Sequence, residues 1–344
     1  MFTKNVAALI TGPHTHLIDH LAPLCEKLNC PLITAEKKVA DLAFSYYPSI
    51  KTLYVPYNEL TLRYLSSYDT LISSTFWKPL QKKLFQMLFS KDINLVFLPH
   101  GNSDKGHIKP LLEPYAFQDH VFLYGNQMIE HLKKREVFDQ LKSYSIIGNH
   151  RLDYYQKHQE HFDAFTYKKV FSHLNPENKT LLYAPTWNDY ENLGSFASFS
   201  QRLVDGLPDN LNLIIKPHPL IKERSIEQYV QLSVNKKNIL LLEDFPPVYP
   251  LLAKVDGYIG DFSSVGYDFL YFQKPMFFFD KENRKEKDPT CKLFSSGIKL
   301  DSSKDLYLQM TDLVEDWPEK LKQKQKATSL FAFALNHVNT FDSK

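Results

Sequence analysis

The sequence predicts an α/β protein built from two doubly wound domains with parallel sheets. Three observations carry this reading. The chain has 344 residues, too many for one ordinary core when a domain takes roughly 100–200. Short apolar runs recur along it, alternating with segments of helical pattern, which is the order of βαβ units. The runs are continuously apolar rather than alternating, as strands covered on both faces are.

Taken in order, the strands of the first half fall at "VAALIT" (Val6–Thr11), "TLYVPY" (Thr52–Tyr57), "TLISS" (Thr70–Ser74), "NLVFLP" (Asn94–Pro99), "VFLYG" (Val121–Gly125) and "SYSIIG" (Ser143–Gly148). Those of the second half fall at "TLLYAP" (Thr180–Pro185), "LNLIIKP" (Leu211–Pro217), "NILLLE" (Asn238–Glu243), "GYIGD" (Gly257–Asp261) and "PMFFFD" (Pro275–Asp280). Eleven strands exceed one doubly wound sheet of usual size. The stretch between 150 and 178 is polar and helical and ends in a Pro/Asn turn, which puts the boundary there. The expected domains are residues 1–155 and 156–320. A helix starting near Pro318 fills residues 321–344 and packs back on them.

Composition narrows the function. The 43% hydrophobic and 23% charged fractions are those of a soluble globular protein. The 25 Phe and 20 Tyr favour large ordered cores over disorder. A net charge of +2 gives no sign of nucleic-acid binding. Three cysteines, Cys25, Cys30 and Cys291, with no CxxC pair, offer no disulfide framework and fit a reducing cytoplasm. The start, "MFTKNVAALITGPHTH", has too short an apolar run for a signal peptide. No run approaches the roughly 20 apolar residues of a membrane span. The expected location is the cytoplasm, either free in solution or attached at its surface only to the inner face of the cytoplasmic membrane.

Ligands of doubly wound sheets bind beyond the carboxyl ends of the strands, and the polar oddities fall there. "FLPHGNSDKGH" sets His100, Gly101, Ser103, Asp104 and Lys105 after one strand, and "YAPTWND" sets Thr186, Trp187 and Asn188 after another. "IIKPHP" adds Lys216 and His218, "IGDFSS" adds Asp261, Ser263 and Ser264, and "IIGNHRLD" adds His150, Arg151 and Asp153. Each has a plain structural reading. Pro99, Pro217 and Pro219 make turns, Ser263 or Ser264 caps a helix, and Thr186 and Trp187 serve as a cap and a core aromatic. The coincidence of four such loops favours a site. Hydroxyls before a helix leave N–H groups for an anion, and Lys216 and Arg151 can neutralise a phosphate. Two histidines, one from each half, suit a base and a hydrogen-bond donor. Neither GxGxxG nor GxxxxGKS/T is present, so a dinucleotide fold is not supported. His14, His16 and His20 are closely spaced, but without HExxH or a nearby Cys they are read as lining the acceptor side, or as ordinary surface histidines, rather than holding a metal.

At these residues the chain resembles the CDP-glycerol glycerophosphotransferases, the teichoic-acid primases and polymerases. The matching elements are His100-Gly101 with Lys105, Gly148-x-x-Arg151-x-Asp153, Ala184-Pro185-Thr186-Trp187, Lys216-Pro217-His218-Pro219, and Asp261-Phe262-Ser263-Ser264 with Asp268 and Lys274-Pro275, in family order. Two places depart from the pattern: Asn188-Asp189 follows APTW where the family has a basic residue, and His150 stands where it has a proline. The resemblance implies a GT-B fold of two Rossmann-like domains facing a cleft, acceptor-side first and donor-side second. It also implies transfer of glycerol phosphate from a CDP-linked donor, with release of CMP.

His100 is then the base for the acceptor hydroxyl and His218 the ligand or stabiliser of the donor phosphate. Arg151, Thr186, Lys216, Ser263 and Ser264 serve the diphosphate, and Asp268 the ribose. Gly101, Ser103, Lys105, His14 and His16 lie on the acceptor side. No carboxylate pair calls for a divalent metal, and no cofactor is expected. The acceptor is lipid-linked or a saccharide. "STFWKPLQKKLFQMLFSK" (Ser74–Lys91), with Trp77, Leu80, Leu84 and Leu88 at helical spacing beside Lys78, Lys82 and Lys83, reads either as a helix covering a sheet or as a peripheral membrane contact. The rival readings are CDP-ribitol as the donor, a GT-B glycosyltransferase using a nucleotide sugar, a nucleotide-sugar epimerase, and a non-catalytic nucleotide-binding relative.

Overall fold

The structure, a computed structural model, describes residues 5–105, 112–187, 193–221, 237–281 and 292–333. They divide into two compact units. Among the described residues, the first unit takes those up to Asn102, those from 112 to Gln156, and those from Phe331. The second takes those from Ser103 to 105 and from Lys157 to Leu330.

The first unit is built on β1 (Val6–Ile10), β2 (Leu32–Thr34), β3 (Thr52–Tyr54), β4 (Thr70–Ser73), β5 (Asn94–Phe97), β6 (His120–Leu123) and β7 (Tyr144–Ile146). They form one sheet in the order β3-β2-β1-β4-β5-β6-β7, and every pairing is parallel. The second unit holds β8 (Lys179–Tyr183), β9 (Leu211–Ile215), β10 (Ile239–Leu241), β11 (Gly257–Gly260), β12 (Met276–Phe278) and β13 (Ile298–Lys299). Their order is β10-β9-β8-β11-β12-β13, again parallel throughout. The chain reverses its direction of winding between β1 and β4 in one sheet and between β8 and β11 in the other. These are the switch points at which doubly wound sheets bind ligands.

All eleven expected strands are present, and β2 and β13 are additional. Ala8, central in β1, pairs with Leu32 on one side and Ile72 on the other, and all three are fully buried. Burial on both faces is why these runs read as apolar throughout. In the second unit Phe199 stacks on Phe279 at 4.0 Å within a core that includes Tyr183, Phe277 and Trp317. Each such side chain contributes roughly 1.5–3 kcal/mol by leaving water. Gly260 ends β11 because a Cβ there would lie 2.1 Å from the Tyr258 hydroxyl oxygen.

The Ser74–Lys91 stretch forms a helix at Pro79–Phe89, with a different buried face from the one its spacing suggests. Phe85 is the side chain buried inward, beside Trp77 and Phe89. Leu80, Met87 and Leu88 point to solvent at 63%, 77% and 60% exposure. The expected helix after Pro318 runs from Glu319 to Phe333, and Gln325 ties it to the Lys274 carbonyl. Cys25 and Cys30 are buried free thiols; Cys291 lies outside the described residues. Among the described residues no helix is long and apolar enough to cross a membrane.

Candidate functional site

In the second unit β9, β8 and β11 are neighbours, so the loops that leave them share one edge of the sheet. Lys216 and His218 follow β9, Thr186 and Trp187 follow β8, and Asp261, Ser263 and Ser264 follow β11. Asp261 organises this edge. It is fully buried and accepts three hydrogen bonds: from the Thr186 amide at 2.8 Å, and from the Ser195 amide and hydroxyl, both at 2.7 Å. Burial raises its pKa to about 6 in spite of these donors. An acid directly after a buried strand was visible in the sequence, but Ser195, in a loop with no pattern, was not.

His218 has a defined tautomer. Its Nδ1 accepts from the Leu220 amide at 3.1 Å, so the proton of the neutral ring sits on Nε2 and that nitrogen is a donor. The ring stacks with Trp187 at 6.2 Å. Ser263 caps the Ser264–Phe269 helix, its hydroxyl accepting from the Val265 amide at 3.4 Å. Lys274 donates to the Ala253 and Val255 carbonyls at 2.8 and 2.7 Å. It thereby caps the Tyr249–Lys254 helix, so this lysine of the Lys274-Pro275 element is structural.

The segment after His100 changes unit. Asn102 stays with the first, its amide donating to the Ala332 carbonyl at 3.1 Å. Ser103, Asp104 and Lys105 belong to the second. There Asp104 accepts from the Tyr267 hydroxyl at 2.6 Å and the Leu293 amide at 3.0 Å, and Lys105 Nζ donates to Thr186 Oγ1 at 2.7 Å. Ser103 and Lys105, expected on the acceptor side with His100, are therefore grouped with Thr186. The chain separates them from β5 by a turn that needs Gly101, whose φ of 109° disfavours any other residue.

In the first unit His14 and His16 follow β1, and His100 follows β5. The rings of His14 and His16 lie 5.9 Å apart, those of His16 and His100 6.0 Å, and those of His20 and His100 6.3 Å. Among the described residues no three His, Cys, Asp or Glu side chains are grouped to hold a metal ion.

Two of the expected ligands are held by buried protein partners. Arg151 is not open to a phosphate: it is buried and its Nε and Nη2 both donate to Asp19 Oδ2, the Nε at 2.9 Å. Asp19 accepts from Tyr47 as well. Asp268 is not open to a ribose: it is 2% exposed and accepts from the Tyr249 hydroxyl at 2.9 Å. In both cases the buried polar partner lowers the desolvation cost of the charge. A separate hollow of about 570 Å³, lined by His173, Asn175, Asp209 and Lys237 among others, lies by the amino ends of β8, β9 and β10. That is the edge opposite to the one doubly wound sheets use.

Comparison with known proteins assigns most of this chain to one family. Residues 100–343 match the family described as CDP-Glycerol:Poly(glycerophosphate) glycerophosphotransferase. Over 241 residues the chain is 29% identical to the teichoic acid glycerol-phosphate primase of Bacillus spizizenii, covering 64% of this chain and 57% of that one. It spans little more than half the length of the curated primases it matches. Among solved structures, a variant of the wall teichoic acid polymerase TagF soaked with CDPG aligns with a TM-score of 0.64 at 15% identity, over 97% of this chain and 85% of the other. The UDP-GlcNAc 2-epimerase of Neisseria meningitidis bound to UDP-GlcNAc aligns with a TM-score of 0.57 at 14% identity, over 94% of each. At these identities the structural likeness shows the GT-B fold alone, and the assignment rests on the matched residues: the chain belongs to the CDP-glycerol:poly(glycerophosphate) glycerophosphotransferase family.

Proposed function

We propose that this chain transfers glycerol phosphate from CDP-glycerol to a hydroxyl of a lipid-linked or saccharide acceptor and releases CMP. The observation that supports the reading is the shared edge of β9, β8 and β11, from which the loops bearing Lys216 and His218, Thr186, and Ser263 and Ser264 leave, with Lys105 bonded to Thr186. In this reading that edge holds the diphosphate of a nucleotide-linked donor. His218 donates from Nε2 to a phosphate oxygen, and Lys105 and Lys216 supply positive charge. His100 takes the acceptor's hydroxyl proton, help worth roughly 10²–10⁴-fold. The acceptor oxygen forms its bond to the distal phosphorus as the bond to the bridging oxygen breaks. That oxygen leaves on CMP. Arg151 and Asp268 have no part in the chemistry.

The acceptor brings a second element. Leu80, Met87 and Leu88 lie on one face of the Pro79–Phe89 helix, at the spacing of an amphipathic stripe, and Lys78 and Lys83 beside them are exposed. The helix rests on an anionic bilayer at the cytoplasmic face, apolar side chains inward and lysines on the headgroups. Flotation with vesicles containing anionic lipid is the check, and a Leu88→Asp variant that floats as wild type does would remove this contact.

The donor reading is tested by thermal stabilisation with CDP, UDP and GDP. Selective stabilisation by CDP is expected, and it should weaken in His218→Ala more than in His218→Gln, which keeps a donor near Nε2. Selective stabilisation by UDP would overturn the reading in favour of a nucleotide sugar. His100→Ala should abolish turnover while CDP still stabilises the protein; turnover at the wild-type rate would remove the base.

A further inference from the structure

Behind His100 the first unit holds a chain of buried hydrogen bonds that the transfer reaction does not use. Tyr124 immediately follows β6 and is fully buried. Its hydroxyl lies 3.0 Å from the carbonyl oxygen of Pro99, the residue before His100, and 2.9 Å from Nδ1 of His20. A carbonyl can only accept, so the single phenol proton goes to Pro99, and the hydroxyl must accept from His20. His20 therefore carries its proton on Nδ1. It is also neutral, because burial, and then the positive Arg151, hold its pKa well below the ordinary histidine range.

The position of His20 is itself fixed. Its backbone carbonyl accepts from His150 Nε2 at 2.9 Å, and its neighbour Asp19 is clamped by Arg151. Both anchors stand at the start of the His150–Lys157 helix. A proline at 150, which the family pattern has, could not make the first of these bonds. The ring of His20 then stands edge-on to that of His100, at 6.3 Å and 78°.

We propose that Tyr124 and His20 are positioning residues for His100: the tyrosine hydroxyl holds the Pro99 carbonyl, and the imidazole it orients supports the His100 ring. Neither touches substrate. The proposal rests on the reading of His100 as the base. In that reading an ångström of misplacement costs on the order of 10²-fold in rate.

The test uses the full chain with CDP-glycerol and two readouts. In steady-state kinetics Tyr124→Phe and His20→Leu should lower kcat at least about tenfold, with KM for CDP-glycerol unchanged within about twofold because the donor-binding groups lie in the second unit. His20→Asn, whose side-chain amide can reach where Nδ1–H does, should restore most of the loss. Histidine-labelled long-range NMR should show His20 as the Nδ1–H tautomer with no titration between about pH 6 and 8, in accord with its lowered pKa. Wild-type kcat in Tyr124→Phe, or no rescue by His20→Asn, would overturn the proposal. If the wild-type chain releases no CMP, the transferase reading fails. The spectrum then decides separately: the Nε2–H form of His20 overturns the pair, and the Nδ1–H form supports it.

Discussion

Replacing Arg151 with methionine separates a structural arginine from a phosphate ligand. The Arg151 and Asp19 side chains are 4% and 9% exposed, and the guanidinium Nε lies 2.9 Å from the carboxylate. At an effective dielectric of 20 that separation corresponds to about 6 kcal/mol of gross attraction, most of it set against the cost of burying both charges. The Arg151→Met change would leave Asp19 buried with the Tyr47 hydroxyl and no cation. Losses from breaking a buried pair on one side run to about 3–5 kcal/mol, and that is the expected destabilisation of the first unit. Converting both residues, Arg151→Met with Asp19→Leu, removes the stranded charge and should recover at least half of it. The assay is urea unfolding of the wild type, both single variants and the double. The two units are treated as separate transitions, because a chain with two compact units need not unfold in one step. A loss below about 1 kcal/mol in Arg151→Met, or unchanged stability with weakened donor binding, would show that the buried pair is not structural and return Arg151 to the phosphate.

Further consequences concern the second unit. Asp261 keeps its proton up to about pH 6, above its ordinary value. Its contribution to stability is therefore full below about pH 4, falls as pH rises through 6, and is lost above. Relative to Asp261→Asn, the wild type should lose roughly 2 kcal/mol between pH 4.5 and 7.5; a pH-independent difference would contradict the raised value. Lys105→Met should raise KM for CDP-glycerol about 10–100-fold, the worth of one bond to a charged group, with the unfolding midpoint little changed. An unaltered KM would place Lys105 outside the donor contacts. Ser263→Ala should cost about 0.5–1 kcal/mol of stability, at the low end for a cap because its bond to Val265 is long at 3.4 Å. A loss above about 2 kcal/mol would mean the serine does more than cap.

The sequence made the sheets legible because strands buried on both faces leave unbroken apolar runs, such as Val6–Ile10 and Leu211–Ile215. The two strands it hid are short. Leu32–Thr34 has three residues, and Ile298–Lys299 has two that are only half-buried. Their identity as strands comes from pairing with Ala8–Ile10 and Phe277–Phe278, not from any periodicity of their own. Strand-end loops could likewise be located from the chain, because a loop that follows a parallel strand must fall at the carboxyl edge. What those loops touch could not. Arg151 bonds a residue 132 positions away, Lys105 one 81 away, and Asp261 residues 66 and 75 away. For Arg151 and Asp268 a charge in apolar surroundings has two explanations, a ligand or a buried partner, and only the fold displays the partner. The Pro79–Phe89 helix misleads for a related reason: it carries two apolar stripes, and its spacing does not say which one, Phe85 or Leu80 with Leu88, meets the sheet.

Release of CMP distinguishes glycerol-phosphate transfer from the other chemistries open to this fold. The chain is incubated with CDP-glycerol and a panel of lipid-linked and saccharide acceptors, and nucleotide products are separated by ion-exchange chromatography. CMP is expected in step with a new phosphodiester on the acceptor, absent in His100→Ala and sharply reduced in His218→Ala. No CMP from CDP-glycerol with any acceptor, together with release of a nucleoside diphosphate from a nucleotide sugar, would contradict it.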